Sequence, residues 1–305
     1  MISIEEIKKF FRGRIMLSEP LSSYTTFRIG GPADYYFEPI DKEDTTVIIK
    51  YLQSQEVPFA VIGKGSNLLV SDSGFRGAVV NINKGLKSMK VENATVYVEA
   101  GVQLNRFIDL CIQNSLKGVE MLAGIPGTVG GAIFMNAGAY GGEISTYLTE
   151  IELVREGNCI VIPREEIKFS YRKASFSDHD VIISAKFQLP RGEKAELEKR
   201  KNELLLTRNR KHPVNYPNCG SVFKNLPDAP AAKYIEESGL KGKQIGKAQV
   251  SEKHANFIIN LGGATALDVY NLISLVKKTV FEKFGINLEL EVKLLGFEES
   301  NNNKV

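Results

Sequence analysis

The chain has 305 residues, 43% of them hydrophobic and 25% charged, which is typical of a soluble globular protein and leaves room for two domains. Its 39 basic and 36 acidic residues give a net charge of +3, too small to favour nucleic acid as a partner. The 3 cysteines and 3 histidines are spaced neither as a disulfide framework nor as metal ligands, so we expect reduced thiols and no metal site.

The N-terminal part of the chain predicts a small α/β unit over about residues 1–76. Residues 1–11 carry acidic side chains and no long apolar run, which indicates a surface helix and not a signal peptide. We therefore expect a cytoplasmic protein that inserts into no membrane. A strand near Asp34–Phe37, a helix over Lys42–Gln55 and a strand over Phe59–Ile62 follow in alternation.

Short strand patterns dominate the next part of the chain, about residues 77–192. Leu104, Phe107, Ile108 and Cys111 recur at helical spacing, which predicts one amphipathic helix in this part. The predicted strands are Ala78–Asn81, Thr95–Glu99, Ile151–Arg155, Cys159–Ile162 and Val181–Phe187. We expect the last three to complete a second sheet.

A domain boundary is predicted after residue 192, where Pro190–Glu193 breaks the strand pattern and a charged helix runs to about Arg210. Residues 193–305 would form the second domain, with a frayed tail at Asn301–Val305. Its other predicted elements are helices over Ala229–Ser238 and Thr265–Phe284 and strands over Asn256–Asn260 and Asn287–Leu294. The apolar face of the long helix comprises Leu267, Tyr270, Ile273, Val276 and Val280.

Two glycine-rich stretches are the most specific signal in the sequence. Gly63–Asn67 follows a predicted strand, and Gly124–Gly131 leads into Asn136–Gly141. A single glycine cluster is usually an ordinary tight turn, but two long ones favour a phosphate-binding surface, because backbone without Cβ approaches an anion closely. Leu68 stands where G-x-G-x-x-G needs its third glycine, and no G-x-x-x-x-G-K-[ST] occurs, so Rossmann and P-loop folds are excluded. We expect a bound dinucleotide.

The two stretches resemble the FAD-binding domain of the vanillyl-alcohol-oxidase/p-cresol-methylhydroxylase type. The residues that carry this resemblance are Gly63–Asn67, Ala123–Ala132 and Met135–Gly141. Within that superfamily the chain is similar to the UDP-N-acetylenolpyruvoylglucosamine reductase family, flavoenzymes of bacterial peptidoglycan precursor synthesis, from about Tyr24–Gly31 to Glu291–Gly296. The implied fold class is α+β, with a two-part FAD-binding domain over 1–192 and a smaller α+β substrate-binding domain over 193–305.

The resemblance also implies an activity. A cytoplasmic, monomeric enzyme would use FAD and NADPH to reduce a small-molecule partner, the enolpyruvyl ether of UDP-N-acetylglucosamine, to UDP-N-acetylmuramate. The short Phe176–Asp180 connection leaves little room for a tyrosine-bearing loop found in one subgroup, so the chain is similar to the subgroup without it. The implied cofactor-binding residues are Gly63, Lys64, Gly65, Ser66, Asn67, Gly124, Pro126, Gly127, Thr128, Gly130, Gly131, Asn136, Gly138 and Gly141.

Three residues match the catalytic positions of the family. Arg172 follows a tyrosine as the family's arginine does, and a guanidinium suits a carboxylate or enolate because its forked donors stay protonated. Ser221 matches the proton donor, and Glu291, which precedes a valine and a basic residue, matches the catalytic glutamate in preference to Glu289. Without the resemblance, each would be an ordinary surface, turn or strand residue. Further candidates for substrate binding are Lys224, Asn225, His254 and Lys293.

Two other functions compete with this interpretation. One is a flavin oxidase or dehydrogenase of the same superfamily that acts on an alcohol or hydroxy acid. No histidine or cysteine lies beside the glycine-rich stretches as a covalent flavin tether would, and this counts against the oxidase alternative. The other is a catalytically silent module that binds a UDP-sugar, and a pure sensor has no use for a proton donor such as Ser221.

Overall fold

The computed structural model describes residues 2–297. The α-helices are α1 (Ile4–Ile7), α2 (Lys42–Ser54), α3 (Leu104–Gln113), α4 (Val129–Phe134), α5 (Lys194–Lys211), α6 (Ala231–Glu237) and α7 (Ala266–Phe284). None of the helices within this described range is both long and apolar enough to cross a bilayer. The predicted tail Asn301–Val305 lies outside the described residues.

The strands are short and numerous. In the first half of the chain they are β1 (Arg14–Pro20), β2 (Pro32–Glu38), β3 (Phe59–Ile62), β4 (Leu68–Val70), β5 (Phe75–Asn81), β6 (Met89–Glu92), β7 (Thr95–Glu99), β8 (Gly138–Ala139), β9 (Gly142–Glu143) and β10 (Leu148–Arg155). The second half adds β11 (Asn158–Pro163), β12 (Phe169–Ser170), β13 (Lys173–Ala174), β14 (Val181–Gln188), β15 (Asn218–Ser221), β16 (Gln244–Ile245), β17 (Ala248–Val250), β18 (Phe257–Asn260) and β19 (Lys293–Leu295).

Residue contacts divide the chain into two compact units, each assembled from three separate segments. Unit 1 comprises Met1–Leu17, Tyr35–Lys64 and Gly77–Thr207, and unit 2 comprises Ser18–Asp34, Gly65–Arg76 and Arg208–Val305. The domain boundary predicted between residues 192 and 193 stays a prediction.

Unit 1 contains the predicted second sheet, an antiparallel sheet of strand order β11-β10-β14-β7-β6. Helix α3 buries the predicted face of Leu104, Phe107, Ile108 and Cys111, and the Phe107 ring lies 5.0 Å from that of Phe187 on β14. Strands β3 and β5 run parallel, from Phe59 opposite Ala78 to Ile62 opposite Asn81, and belong to a sheet of order β1-β2-β5-β3. The parallel pair ends at Ile62, so the first glycine-rich stretch begins at the carboxyl end of a strand.

Unit 2 is built on a sheet of order β15-β18-β17-β16 and a parallel pair, β19 with β4. Helix α7 begins with a capping box between Thr265 and Asp268 and ends at Gly285, whose φ of 69° suits glycine. Its buried residues include Ile273, Val276 and Val280, as predicted. The prediction was wrong for Leu267, which is 60% exposed.

The predicted final strand is also partly wrong. Strand β19 covers only Lys293–Leu295, and the preceding residues make a single bridge, Leu290 with Phe223. Leu288 and Val292 are nevertheless buried, at 2% and 3% exposure. The alternating apolar pattern therefore indicates correctly that alternate side chains are buried here, although the segment does not form a continuous strand.

Asp72 fixes the start of α7 within unit 2. Its two carboxylate oxygens accept the amides of Ala266 and Leu267 at 2.8 and 2.9 Å. These amides are among those that an α-helix leaves without internal partners, and a carboxylate at this end also suits the helix dipole.

Replacing Asp72 with alanine is expected to lower the free energy of unfolding by about 1 kcal/mol, the usual cost of a lost helix cap. Urea unfolding of the holoprotein measures the change. Asp178→Ala, at an exposed turn residue, is the matched control. Equal midpoints for the two variants would contradict a capping role for Asp72.

Candidate active site

The two glycine-rich stretches meet in unit 1 at Gly63 and Thr128. A Cβ built on Gly63 would lie 2.7 Å from Thr128 Cγ2 and closer still to its hydroxyl oxygen, so no side chain fits at position 63. Thr128 is 2% exposed and caps α4 by accepting the Gly131 amide at 3.4 Å. Gly63 therefore allows a close approach between the two stretches themselves, and their predicted approach to a phosphate stays a prediction.

The second stretch is held by main-chain hydrogen bonds to the segment before α3. The Val129 amide donates to Val102 at 2.9 Å, and the Gly130 amide donates to Ala100 at 2.9 Å. Gly124 and Gly127 have φ values of 83° and 142°, which L side chains rarely adopt. The turns at Gly124 and Gly127 therefore carry no side chain, which is the feature that the predicted contact with a diphosphate requires.

Arg172 lies at the tip of a two-residue hairpin between β12 and β13, also in unit 1. Its φ is 56°, an uncommon conformation for arginine, and its guanidinium lies 4.9 Å from the ring centre of exposed Tyr171. A Cβ on Gly138 would lie 3.5 Å from Arg172 Nη1. Gly138 thus leaves room for the guanidinium beside β8.

Asn136 is fully buried and makes three side-chain hydrogen bonds. Its amide nitrogen donates to Glu143 and to the Ser170 carbonyl, and its oxygen accepts from Ser145. Any contact of Asn136 with a cofactor would fall to its main chain. Gly141 has a φ of 83° in the β8–β9 turn, with open space around it.

In unit 2, the rest of the first stretch lies against the family-matched glutamate. Asn67 Nδ2 donates to the carbonyl oxygen of Glu291 at 3.0 Å, and the Asn67 carbonyl accepts the Lys293 amide at 3.0 Å. Gly65 has a φ of 61°, and a Cβ there would collide with the Tyr24 carbonyl oxygen. Ser66 is half-buried, whereas Lys64, assigned to unit 1, is exposed.

The main chain of unit 2 also brings Ser221 and Glu291 together. The Glu291 amide donates at 2.8 Å to the carbonyl of Val222, the residue after Ser221. Gly220 has a φ of 81° and the β15–β18 register shifts between Asn218 and Ser221, so the strand is irregular where the serine is presented. Both Ser221 and Glu291 are half-buried.

The candidates for substrate binding are spread over unit 2. Lys224 forms a 3.0 Å ion pair with Glu289. Asn225 accepts the Ala231 amide at 3.1 Å, and Lys293 is exposed at the start of β19. His254 accepts the Asn256 amide at 3.3 Å.

Burial keeps two histidines and one cysteine of unit 2 neutral. Burial, followed by the charge of Arg208, lowers the pKa of His212 to about 4, and burial, followed by the charge of Lys241, lowers the pKa of His254. A neutral His254 can donate a hydrogen bond but adds no charge for an anion. Burial raises the pKa of Cys219 to about 12, so this buried thiol stays protonated and packs as a small apolar residue.

Sequence reasoning missed the side chains that hold these groups in place. Glu143 and Ser145 bind Asn136, and Asn256 binds both main-chain groups of Phe223, at 2.9 and 2.8 Å. Asn256 is 2% exposed. A buried asparagine needs partners, but only the fold shows which ones.

No group of three or more His, Cys, Asp or Glu side chains within residues 2–297 is placed to hold a metal ion.

Comparison with known proteins gives consistent matches over nearly the whole chain. Residues 212–295 match the family described as UDP-N-acetylenolpyruvoylglucosamine reductase, C-terminal domain, and residues 33–161 match the family described as FAD binding domain. These matches confirm the expected fold class, α+β with an FAD-binding domain.

Named relatives and one solved structure agree with these matches. The UDP-N-acetylenolpyruvoylglucosamine reductase of Caldanaerobacter subterraneus is 42% identical over 298 residues, covering 97% of this chain and 98% of that protein. That of Chloroherpeton thalassium is 43% identical over 308 residues, covering 98% and 99%. The crystal structure of the reductase from Thermus caldophilus has a TM-score of 0.79 at 33% identity, covering 94% of this chain and 100% of that one.

The contact between Gly63 and Thr128 predicts the effect of Gly63→Ala. The added methyl must displace Thr128, so we expect a loss of about 1–3 kcal/mol in stability and of most FAD during purification. The flavin-to-protein absorbance ratio and the thermal midpoint measure both effects. Gly285→Asn, at a left-handed position with open space, should change neither. A full flavin content in Gly63→Ala would contradict the close approach.

The lowered pKa of His212 predicts a pH dependence. The folded state takes up this proton only near pH 4, whereas the unfolded chain takes it up near pH 6.5, so stability is lost as pH falls through that window. In His212→Phe, the urea midpoint should fall less steeply from pH 6.5 to pH 4. The exposed His179→Gln should keep the wild-type slope. An unchanged slope in His212→Phe would show that other groups cause it.

Proposed function

The chain belongs to the UDP-N-acetylenolpyruvoylglucosamine reductase family, and from that premise we propose which residues carry its reaction. It is an FAD enzyme that uses NADPH to reduce the enolpyruvyl ether of UDP-N-acetylglucosamine to UDP-N-acetylmuramate. The observation that supports the residue assignment is the main-chain hydrogen bond from the Glu291 amide to the carbonyl of Val222, the residue after Ser221. The alternative of an oxidase of the same superfamily is not favoured by relatives more than 40% identical.

FAD, when bound, supplies a hydride for the terminal vinyl carbon, C3, and is recharged by NADPH. The chain must hold the cofactor, stabilise the negative charge that develops on the carboxylate-conjugated system, and deliver a proton to C2. We assign the first task to the main chain around Gly63 and Gly124–Gly131 in unit 1 and around Gly65–Asn67 in unit 2. Close contacts and left-handed φ angles along these segments support the assignment.

Arg172 is assigned to the developing charge. Its guanidinium is a cation that offers two parallel donors to a carboxylate or enolate. The hairpin carries it on a two-residue loop, with Tyr171 below its charged plane. A lysine at this position would keep the charge but lose the paired geometry.

Ser221 is assigned as the proton donor to C2. A serine hydroxyl is a weak acid, so it donates usefully only to a strongly basic carbon and only if neighbouring groups stabilise the oxygen that it leaves. Glu291 would accept the hydrogen bond of the enolic hydroxyl, because an ionised carboxylate stabilises an enol by accepting and would repel an enolate. The irregular strand at Gly220 supports the exposure of Ser221 to substrate.

Lys224 and Lys293 are assigned to the diphosphate of the substrate, with Asn225 and His254 as neutral hydrogen-bonding groups. The Lys224–Glu289 pair is largely exposed on the glutamate side, so a phosphate can replace the carboxylate at little cost.

We further propose a monomer that works in the cytoplasm. The free thiols of Cys111, Cys159 and Cys219 agree with a reducing compartment.

Ser221→Ala is expected to separate the two halves of the reaction. Bleaching of the bound flavin by NADPH should stay within about 3-fold of wild type, whereas recolouring by the enolpyruvyl nucleotide should slow by at least about 100-fold, because only proton delivery is lost. Anaerobic stopped-flow absorbance measures both.

Two outcomes would contradict the proposal. Equal slowing of both halves would make Ser221 a structural residue. Recolouring of the wild-type protein by oxygen, with no response to the nucleotide, would indicate an oxidase. Ser54→Ala, at an exposed serine of α2, is the control.

A further inference from the structure

Asn136 connects three parts of unit 1 that the reaction requires. It follows α4, the helix that the glycine-rich stretch begins, and its φ of 42° makes it the left-handed residue that ends this helix. Its side chain then reaches two hairpins. The first is β8–β9, which contains Glu143, and the second is β12–β13, which carries Arg172 at its tip.

The hydrogen bonds of Asn136 use its entire side chain. Nδ2 donates to Glu143 Oε2 at 2.9 Å and to the Ser170 carbonyl at 3.0 Å, and Oδ1 accepts the Ser145 hydroxyl at 2.8 Å. Asn136 itself is 0% exposed, and its bond to Ser145 is fully buried, whereas the bonds to Glu143 and Ser170 are partly buried. A buried and fully satisfied amide of this kind fixes one arrangement of its partners.

The bond to Ser170 acts directly on the Arg172 hairpin. Ser170 pairs with Lys173, and Arg172 lies between them in a strained left-handed conformation. Such a conformation persists only when the surrounding structure determines it. Asn136 holds the hairpin at Ser170. Arg164 contacts it at Phe169, with its guanidinium 4.5 Å over the ring, and also donates to the Ser145 carbonyl at 3.2 Å.

The bond to Glu143 acts on the other side of Arg172. A Cβ on Gly138 would lie 3.0 Å from Glu143 Cγ and 3.5 Å from Arg172 Nη1, so both side chains come close to the same point on β8. Asn136 turns the Glu143 carboxylate toward itself through a charge-assisted hydrogen bond. The Glu143 carboxylate is thereby held at the same place on β8 that the guanidinium approaches.

We propose that Asn136, through Glu143 and Ser170, is the positioning residue that aims the Arg172 guanidinium and couples its hairpin to the glycine-rich helix α4. The proposal rests on the catalytic role assigned to Arg172. It gives the buried Asn136 side chain a role toward the arginine and not toward the cofactor.

The test is the two half-reactions of Asn136→Gly, anaerobically and with the holoprotein. Glycine accepts the left-handed backbone, so only the side-chain bonds are lost. Bound FAD and its reduction by NADPH should stay within about 3-fold of wild type, whereas reoxidation by the enolpyruvyl nucleotide should slow by about 100-fold, the usual cost of a small misplacement. Asn93→Gly, at an exposed left-handed asparagine, should leave both rates unchanged.

A double-mutant cycle shows whether Asn136 acts through the arginine. In the Arg172→Ala background, Asn136→Gly should slow reoxidation by no more than about 3-fold further. A multiplicative effect, or equal loss of flavin and of both rates in Asn136→Gly, overturns the positioning role and leaves the function of Arg172 intact. Normal reoxidation in Arg172→Ala alone overturns the catalytic assignment and the positioning role with it.

Ser145→Ala provides the same test if Asn136→Gly does not fold. It removes only the donor that orients Asn136 Oδ1, so reoxidation should slow by about 3- to 10-fold with flavin content and reduction unchanged. Wild-type rates in both half-reactions of this variant would count against the proposal.

Discussion

The arrangement of the two glycine-rich stretches in unit 1 depends on one steric constraint, the contact between Gly63 and Thr128. Only a residue without a side chain lets the end of β3 lie against the second glycine-rich stretch. Thr128 is fixed at the same time as the cap of α4 and by the neighbouring hydrogen bonds to Ala100 and Val102. The direction of α4 follows from these contacts, and with it the position of Asn136 at its end. Steric exclusion at one glycine thereby determines where a distant polar side chain can act.

Unit 2 places its reactive groups by a different means, which is main-chain pairing. The amides of Lys224 and Glu291 donate to Glu289 and Val222, so the residues after Ser221 run beside those around Glu291. Glu289 and Glu291 lie two positions apart and would share one face of a regular strand. The segment before β19 is not a continuous strand, and here Glu289 pairs with Lys224 at the surface while Glu291 is half-buried. The tertiary contacts of this irregular segment, and not its alternating sequence, distinguish the two glutamates.

The sequence predicts the elements whose signal is local. Helix α3 has its apolar residues at helical spacing and buries them as expected, and β7 matches its predicted bounds. The prediction of the final strand fails because strand pairing depends on distant segments: Leu288 and Val292 are buried, yet β19 begins only at Lys293. The exposure of Leu267 likewise depends on which tertiary neighbours cover the first turn of α7. Positions of the candidate site came from family motifs, and their roles stay predictions. Partners such as Glu143 and Asn256 had no sequence signal, because hydrogen bonds between separate segments leave no periodic pattern.

The division of the chain into interleaved segments limits how this protein can be taken apart. Each compact unit draws on three separate stretches of sequence, so a single cut in the gene yields neither unit intact. Formation of unit 2 requires the closure of a long loop, because Gly77–Thr207 separates its last two segments, and this slows folding relative to a chain built from local contacts. Fragments made for crystallisation or screening would have to be circularly permuted or joined by new linkers. The intact chain is therefore the smallest practical object for biochemical work.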